Sequence, residues 1–288
     1  MSKAPVVSPT FETIGGMPRG GPDAGWLNRL LQTDRLEYTD RYDVPDRVKQ
    51  RVIDALEDIG ERAGLNERIA KAVLDLTADI AEPRILELGA GHGKLSAAIL
   101  AAHPKAEVTA TDLDPTSVHR ITAALGGEPR AHAKVADATA IDAADGSFDI
   151  VVFAQAFHHL PPAAACLAIR EATRVSRIFA VVDLPRMSTP AFLLQPFVTL
   201  PFAAFLAVTK GPAATWPIMH DATITMLRCY SDSAFEALGK AADPALRTDI
   251  SRLSQGRRFS LPPEPKLIVY RRPPTGPDSV PAEGRSAP

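Results

Sequence analysis

The sequence predicts an α/β fold built on a doubly wound, mostly parallel sheet. Short apolar runs alternate with helical patterns through residues 83–185, the order typical of strands joined by crossover helices. One run, residues 148–154 (FDIVVFA), is apolar throughout after its aspartate, as expected of a central strand covered on both faces. A glycine-rich loop, residues 89–93 (GAGHG), follows the first run. Because ligands bind at the carboxyl ends of the strands in such sheets, this loop marks the candidate site.

A helical segment, residues 24–82, is predicted ahead of the sheet. Apolar residues gather from Trp26, and Pro45 opens a longer helix in which they recur at spacings of three and four residues. The two ends of the chain, residues 1–23 and 273–288, are rich in Pro and Gly. Both ends are therefore expected to be disordered tails.

Five strands are predicted to alternate with helices in residues 83–185, which form the expected core. These strands are placed at residues 84–88, 107–112, 130–137, 148–154 and 177–183. Proline at Pro115 and at Pro161 marks helix beginnings between them. Residues 226–272 are expected to complete the sheet with a helix and a closing antiparallel pair, RTDISRLS and PKLIVYRR. The predicted sheet therefore has seven strands.

The composition limits the classes of function. The 288 residues carry 32 Lys and Arg against 34 Asp and Glu, a net charge of −2. This balance provides no overall field for holding a polyanion, so binding to nucleic acid is not expected. Cys166 and Cys229 lie far apart and lack metal-ligand spacing, which argues against a structural zinc site and a disulfide scaffold. The start of the chain has no apolar signal segment, so a cytoplasmic location is expected.

The chemistry of the glycine loop follows from its spacing. Glycines at positions 89, 91 and 93 allow a tight turn and let backbone amides approach a ligand. A dinucleotide-binding fingerprint would need a third glycine at position 94, where this chain has Lys94. Glu87, two residues before the loop, would repel a pyrophosphate but suits a ligand with a cationic amine. An NAD(P)-dependent oxidoreductase is therefore disfavoured, and a plain strand-to-helix turn stays open as the structural alternative.

The sequence around this loop resembles the class I S-adenosylmethionine-dependent methyltransferases of the small-molecule type. ILELGAGHGKLS is similar to their first motif, and TDLDP, VADATAI and FDIVVFAQAFHHL are similar to the motifs that follow it in order. The resemblance is close over residues 83–184 and looser over residues 220–272. It implies a Rossmann-like sheet with one strand inserted antiparallel near its end, and S-adenosyl-L-methionine (SAM) as cosubstrate.

The resemblance also implies which residues bind the donor. Asp112 would accept hydrogen bonds from the ribose hydroxyls, and Asp137 would hold the adenine amino group with Ala138 beside it. The full predicted donor-binding set is Glu87, Gly89, Ala90, Gly91, Gly93, Asp112, Leu113, Asp137, Ala138 and Gln155. Structural alternatives stay open: Asp112 as a strand end, Asp137 as a turn residue, and Glu87 paired with a neighbouring Lys or Arg.

Three histidines are candidates for a catalytic base. Methyl transfer mainly requires alignment of donor and acceptor and exclusion of water, and a base is needed only where the acceptor must lose a proton. His158 and His159 follow the fourth strand at its carboxyl end, and His220 stands beside Asp221. Packing or backbone hydrogen bonding is the alternative role for each. No cluster of three carboxylate or amide ligands occurs at the strand ends, so no metal is expected.

Residues 186–225 are predicted to form an apolar cap over the acceptor. No charged residue occurs in residues 187–209, and the prolines of this stretch argue against one regular helix. Its phenylalanines, Phe192, Phe197, Phe202 and Phe205, are expected to line a pocket for an apolar or aromatic acceptor. Peripheral membrane contact through residues 187–209 and a homodimer interface are the alternatives. Tyr38 and Tyr42, in a charged run expected to be a solvated surface, are further candidates for the pocket.

The predicted function is SAM-dependent methyl transfer to a small, apolar or aromatic acceptor, with oxygen or carbon favoured over nitrogen. The Asn/Asp-Pro-Pro-aromatic signature of nucleic-acid methyltransferases is absent, because the equivalent residues are AQAF. Two alternatives are kept. One is a SAM- or S-adenosylhomocysteine-binding regulatory protein without turnover, and the other is a membrane-associated lipid or quinone methyltransferase.

Overall fold

The computed structural model describes residues 10–41, 43–253 and 264–273. Its strands are β1 (Arg84–Leu88), β2 (Glu107–Asp112), β3 (Ala131–Val135), β4 (Phe148–Ala154), β5 (Ser176–Asp183), β6 (Arg247–Arg252) and β7 (Lys266–Arg271). Its α-helices are α1 (Trp26–Leu30), α2 (Asp46–Arg62), α3 (Leu65–Leu76), α4 (Lys94–Ala102), α5 (Pro115–Leu125), α6 (Pro162–Val175), α7 (Thr189–Lys210), α8 (Pro212–Arg228) and α9 (Asp232–Ala242). Short 3₁₀ turns are formed by Ile14–Gly16 and Phe157–His159.

The strands of the described residues form one sheet in the order β3-β2-β1-β4-β5-β7-β6. β1 to β5 are parallel, and β7 lies antiparallel between β5 and β6. The predicted doubly wound, mostly parallel sheet of seven strands is thereby confirmed. The chain turns back between β1 and β4, so the carboxyl ends of these two strands flank the crevice in which ligands bind in such sheets.

Helices cover both faces of the sheet. On one face α6 and α9 pack against alternate residues of the central strands, such as Val151 and Phe179. On the other face α3 and α4 pack against the intervening residues, such as Ile150 and Val152. The two-sided burial explains why β4 is apolar in almost every position.

The first described residues pack against this core. Ile14 and Met17 are buried in the same cluster as α6 and α9. The expectation of a disordered N-terminal tail is therefore wrong for residues 10–23. The Gly- and Pro-rich composition predicted disorder, and it gave no sign that Ile14 and Met17 pack against residues far along the chain. Residues 1–9 and 274–288, the remainder of the two predicted tails, lie outside the described residues.

The apolar segment differs most from its prediction. α7 is one helix from Thr189 to Lys210 despite its prolines. Pro190 lies in the first turn, where no amide donor is needed, and Pro201 costs one intrahelical hydrogen bond. Leu206 packs with Ile218 of α8 and with α2. None of the helices in the described part of the chain is long and apolar enough to cross a membrane.

Most of the large apolar side chains of α7 face outward. Phe197 is 77% exposed and Phe205 is 61% exposed, and Phe202 is also exposed. The prediction that a pocket is lined by phenylalanines is therefore wrong for Phe197, Phe202 and Phe205, because the helix buries a narrow stripe against α8 and leaves the rest of its apolar surface uncovered; Phe192 is half-buried. The residues Leu194, Phe197, Leu200, Phe205 and Val208 are called the α7 outer face below.

Arg186, three residues after β5, joins separate parts of the chain. Its guanidinium donates hydrogen bonds of 2.7–3.1 Å to Asn28 and Leu31 and to the carbonyls of Leu227 and Cys229. The N-terminal segment, the end of β5 and the end of α8 are thereby held together. The geometry of the site depends on this connection, because the site draws residues from all three.

Candidate active site

The glycine loop after β1 has a backbone that favours glycine. Gly89, Gly91 and Gly93 have φ values of +61°, +56° and +79°, in the left-handed region. A Cβ atom at Gly89 would lie 2.8 Å from the ring of Phe153 on β4, so space as well as conformation requires glycine there. The amide of Ala90 donates to the carbonyl of Thr111 on β2, at 2.8 Å. This places the loop across the ends of β1 and β2.

Asp112 ends β2 and faces this loop. Its two carboxylate oxygens accept hydrogen bonds from the amides of Gly91 and Asp114, each at 2.9 Å. Burial raises the pKa of Asp112. The cap of α5 is provided by Asp114, which accepts from the amide of Thr116 at 3.0 Å. Asp112 is therefore not needed as the helix cap, and its carboxylate is fixed at the mouth of the glycine loop.

Glu87 lies beneath the loop rather than at its surface. The residue is 3% exposed, and its carboxylate accepts a hydrogen bond from the hydroxyl of Ser96 on α4. Burial raises the pKa of Glu87 to about 7. The alternative of pairing with a Lys or Arg is thus replaced by a hydroxyl partner.

The remaining predicted donor residues follow β2, β3 and β4. Leu113 is exposed next to Asp112, and Ala138 is partly buried against the core. Asp137 is exposed, and its Oδ1 accepts from the amide and hydroxyl of Thr139 at 2.8 and 2.7 Å. These two bonds form the turn that was the structural alternative for Asp137, and both use the same carboxylate oxygen.

Gln155 ends β4 in an unusual conformation. Its φ of +59° makes it the one non-glycine residue with a positive φ among the described residues. Such backbone strain costs on the order of 1–3 kcal/mol and gathers at ligand sites. The amide of Gln155 donates to the carbonyl of Val182 at 2.7 Å, which fixes the turn between the sheet and the following histidines.

His158 and His159 lie in a buried polar cluster at the ends of β4 and β5. The Nδ1 of His158 is 2.8 Å from Asp183, the last residue of β5, and its Nε2 is 3.5 Å from Glu37. Burial alone would lower the pKa of His158, but Asp183 and Glu37 outweigh it and raise the pKa to about 10. A histidine that is already protonated cannot accept a proton, so this environment does not favour His158 as a general base.

His159 has a similar environment. Its Nδ1 is 2.7 Å from Asp40, and its Nε2 is 3.6 Å from the second oxygen of Glu37. Arg228 pairs with Asp40 at 2.9 Å and also donates to the carbonyl of His159. Glu37 therefore bridges the two histidines, whose ring centroids lie 4.5 Å apart.

His220 stands beside this cluster on α8. Its Nδ1 is 2.9 Å from the carboxylate of Asp221, which is buried and also accepts from the amide of Tyr38 at 2.8 Å. The ring of Tyr38 meets that of His220 edge to face, with centroids 4.9 Å apart. Tyr42 lies outside the described residues.

Sequence reasoning missed the acids of this cluster. Glu37 and Asp40 come from a charged run that was expected to be a solvated surface, yet Glu37 is 3% exposed. Asp183 read as the end of a strand. Glu37 and His158 are far apart in the sequence, so no local pattern connects them. The only local signal was the three-residue spacing of the two acids, Glu37 and Asp40.

Comparison with known proteins agrees with this geometry. Residues 85–177 match the family model described as a methyltransferase domain. The chain is 39% identical over 75 residues to the release factor glutamine methyltransferase of Deinococcus radiodurans, covering 25% of this chain and 26% of that protein. It is 33% identical over 105 residues to the malonyl-[acyl-carrier protein] O-methyltransferase of Geobacter sulfurreducens, covering 36% of this chain and 39% of that protein. The alignments thus span about a quarter to two fifths of these curated relatives.

A solved structure shares the fold over most of the chain. The plantazolicin methyltransferase BamL, solved with a triazolic desmethylPZN analog and S-adenosylhomocysteine (SAH), superposes with a TM-score of 0.58 at 12% identity. The superposition covers 85% of this chain and 98% of that one. The chain therefore has the fold of SAM-dependent methyltransferases, and its residues 85–177 match a methyltransferase domain.

Proposed function

We propose that the chain methylates an oxygen or carbon atom of a small, apolar or aromatic acceptor, with SAM as the donor. The observation that carries this proposal is the carboxylate of Asp112, held 2.9 Å from the amide of Gly91 at the mouth of the glycine loop. The domain match over residues 85–177 supports the donor half. The acceptor class rests on the sequence.

In this proposal the ends of β1 to β4 bind the donor. Asp112 accepts hydrogen bonds from the ribose hydroxyls, and Asp137 with Ala138 binds the edge of the adenine. Glu87 provides an acidic side chain below the donor's cationic amine. Gln155 places the main chain after β4 beside the methyl group. The sulfonium donor supplies an already activated methyl group, so these residues need only bind it, orient it and exclude water.

The acceptor half lies between the ends of β4 and β5, the N-terminal segment and α8. Of the three candidate histidines, His220 is the best placed as a base. Asp221 binds its Nδ1 and would stabilise the imidazolium that forms, which leaves Nε2 for the acceptor. His158 and His159 have both ring nitrogens directed at carboxylates, so we assign them to the wall of the site.

The donor half is tested by titrating SAH into the purified protein by calorimetry, with NADH as competitor. We expect Asp112→Ala to weaken binding at least tenfold, because each hydrogen bond to a charged carboxylate contributes about 1.5–3 kcal/mol. Asp114→Ala is the matched control: it removes the α5 cap but should leave the dissociation constant within about twofold. Equal affinity in wild type and Asp112→Ala would refute the assigned role.

A regulatory protein that binds SAM without turnover is the alternative from a different class. The two are separated by measuring SAH release with a panel of phenols, carboxylic acids and activated carbon acids. Turnover that is lost in His220→Gln while SAH affinity stays unchanged supports the catalytic proposal. Tight SAH binding without turnover on any acceptor supports the regulatory one.

The α7 outer face favours one second candidate, methylation of a membrane-borne lipid or quinone. Its side chains form an uncharged apolar surface, and Trp216 on α8 is also exposed. Liposome flotation tests this: Phe197→Ser with Phe205→Ser should abolish binding, whereas Val135→Ser, an exposed apolar residue at the far sheet edge, should not. Failure of the wild type to float at low salt excludes membrane contact, and a dimer in light scattering would assign the face to a second copy.

A further inference from the structure

We propose that Glu37, His158 and His159 form a binding site for one divalent transition-metal ion. The three residues come from the N-terminal segment and from the turn after β4, and their ligand atoms lie within 4.8 Å of one another. The site is separate from the glycine loop and does not require the chain to transfer a methyl group.

The two distances from Glu37 to the histidines are close to those between ligands of one metal ion. The oxygens of Glu37 lie 3.5 Å from the Nε2 of His158 and 3.6 Å from the Nε2 of His159. Good hydrogen bonds between nitrogen and oxygen are about 2.7–3.2 Å long. Ligands at about 2.1 Å from a tetrahedral zinc ion are separated by about 3.4 Å. A metal ion between these atoms therefore matches the spacing better than a direct hydrogen bond does.

Both histidines are also oriented as metal ligands are. The Nδ1 of His158 is 2.8 Å from Asp183, and the Nδ1 of His159 is 2.7 Å from Asp40. A histidine that binds a metal through one ring nitrogen usually donates its other N–H to a carboxylate, which fixes the tautomer and the ring orientation. Here the same arrangement occurs twice, and it directs both Nε2 atoms toward Glu37.

The acidic side chains around the triad also suit a cation. The carboxylates of Glu37, Asp40 and Asp183 lie together, and Arg228 is the basic side chain that pairs with them in the described residues. A divalent ion bound to the two Nε2 atoms and Glu37 would lie among these carboxylates, whose negative charge would offset its own.

The ligand atoms of the triad indicate the class of metal. Two imidazoles with one carboxylate suit zinc, iron and cobalt, whereas magnesium and calcium take oxygen ligands. The partial exposure of the His159 side chain, 23%, opens a route for the ion. Sequence analysis expected no metal, because Glu37 joins the two histidines only through the fold.

The test uses the full-length protein after treatment with a chelator. Zn²⁺ is titrated by calorimetry, and Co²⁺ is titrated by its visible absorption, which reports ligand geometry without any need for activity. We expect one ion per chain and at least a tenfold weaker affinity in Glu37→Gln and in His159→Asn. Asp183→Asn should weaken affinity by about 10–100-fold through the orientation of His158.

His220→Gln is the matched control, because it removes a neighbouring histidine outside the triad and should leave Zn²⁺ affinity unchanged. Circular dichroism confirms that each variant is folded; His159→Asn is at a partly exposed position and tests the site even where Glu37→Gln unfolds. No ion bound by the wild type, or equal affinity in a folded triad variant, overturns the proposal. SAH titration of the same samples reports the donor site separately, so failure of one proposal does not imply failure of the other.

Discussion

The protonation of the buried Glu87 carboxyl makes the stability of the folded state depend on pH. Burial raises the pKa of its carboxyl to about 7, against an ordinary value of 4.5, so the folded state favours the protonated form. The stabilising contribution is fully present below pH 4.5. This contribution is lost as the pH rises through 7, because the folded state must then bury a charged carboxylate.

Glu87→Gln should remove this dependence, because the amide resembles the protonated carboxyl and can still accept from Ser96. The free energy of unfolding of the variant minus that of the wild type is expected to rise by about 3 kcal/mol between pH 4.5 and pH 8. Urea denaturation at several pH values measures this difference.

Glu171→Gln is the control of opposite sign, because hydrogen bonding to Arg174 lowers the pKa of Glu171. That variant should be less stable than the wild type at neutral pH and approach it in acid. A flat difference for Glu87→Gln would contradict the assignment of the buried acid.

At the same scale, the sequence alone brings together the residues around the glycine loop, but it does not bring together the acids around His158. Gly89, Gly91 and Asp112 stand within one strand-loop-strand unit, so their spacing alone brings them together. Glu37 and Asp183 meet at His158 only after the sheet has formed and the N-terminal segment has packed on it. Spacing along the chain contains no information about that contact.

At the scale of elements, strands were predicted correctly wherever apolar patterning is local. β4 and β5 are buried on both faces, and their largely apolar composition predicts this burial. α7 was predicted wrongly because an apolar composition does not tell a buried helix from an uncovered one. The turn Ile14–Gly16 was missed because two apolar residues in a Gly-rich stretch give no periodicity.

The cap at the beginning of α9 makes a contribution to stability that can be measured. Ser231 caps α9, and its hydroxyl accepts from the amide of Ala234 at 3.2 Å. Ser231→Ala leaves that amide without its partner and should lower the free energy of unfolding by about 1 kcal/mol, measured by urea denaturation. Ser251→Ala, at an exposed position of β6, should stay within about 0.5 kcal/mol. A cost at Ser231 no larger than at Ser251 would show that the cap is unimportant.

At the scale of the whole molecule, Arg186 holds the N-terminal segment against β5 and α8. A lysine at this position has one nitrogen and cannot reach all the carbonyls that the guanidinium binds. We expect Arg186→Lys to lower the free energy of unfolding by about 2–3 kcal/mol. Limited proteolysis should also cut the N-terminal segment sooner, because that segment loses its bonds through Asn28 and Leu31.

Arg177→Lys provides the comparison for this change. Arg177 forms an exposed ion pair with Asp79 at 3.2 Å, and such pairs contribute about 0–1 kcal/mol. If Arg177→Lys and Arg186→Lys unfold at the same urea concentration, the N-terminal segment is held by its apolar contacts instead.

β7, the antiparallel strand near the sheet edge, is synthesised well after β5, so the sheet can be completed only late in translation. β5 pairs with β4 on one side, and its other edge stays open until β7, Lys266–Arg271, leaves the ribosome. At about 5–20 residues per second that interval lasts on the order of ten seconds. During it, the open edge of this largely apolar strand can pair with a neighbouring nascent chain. A chain that stops before Lys266 keeps this edge open permanently, so we expect it to be recovered as aggregate rather than as a smaller folded protein.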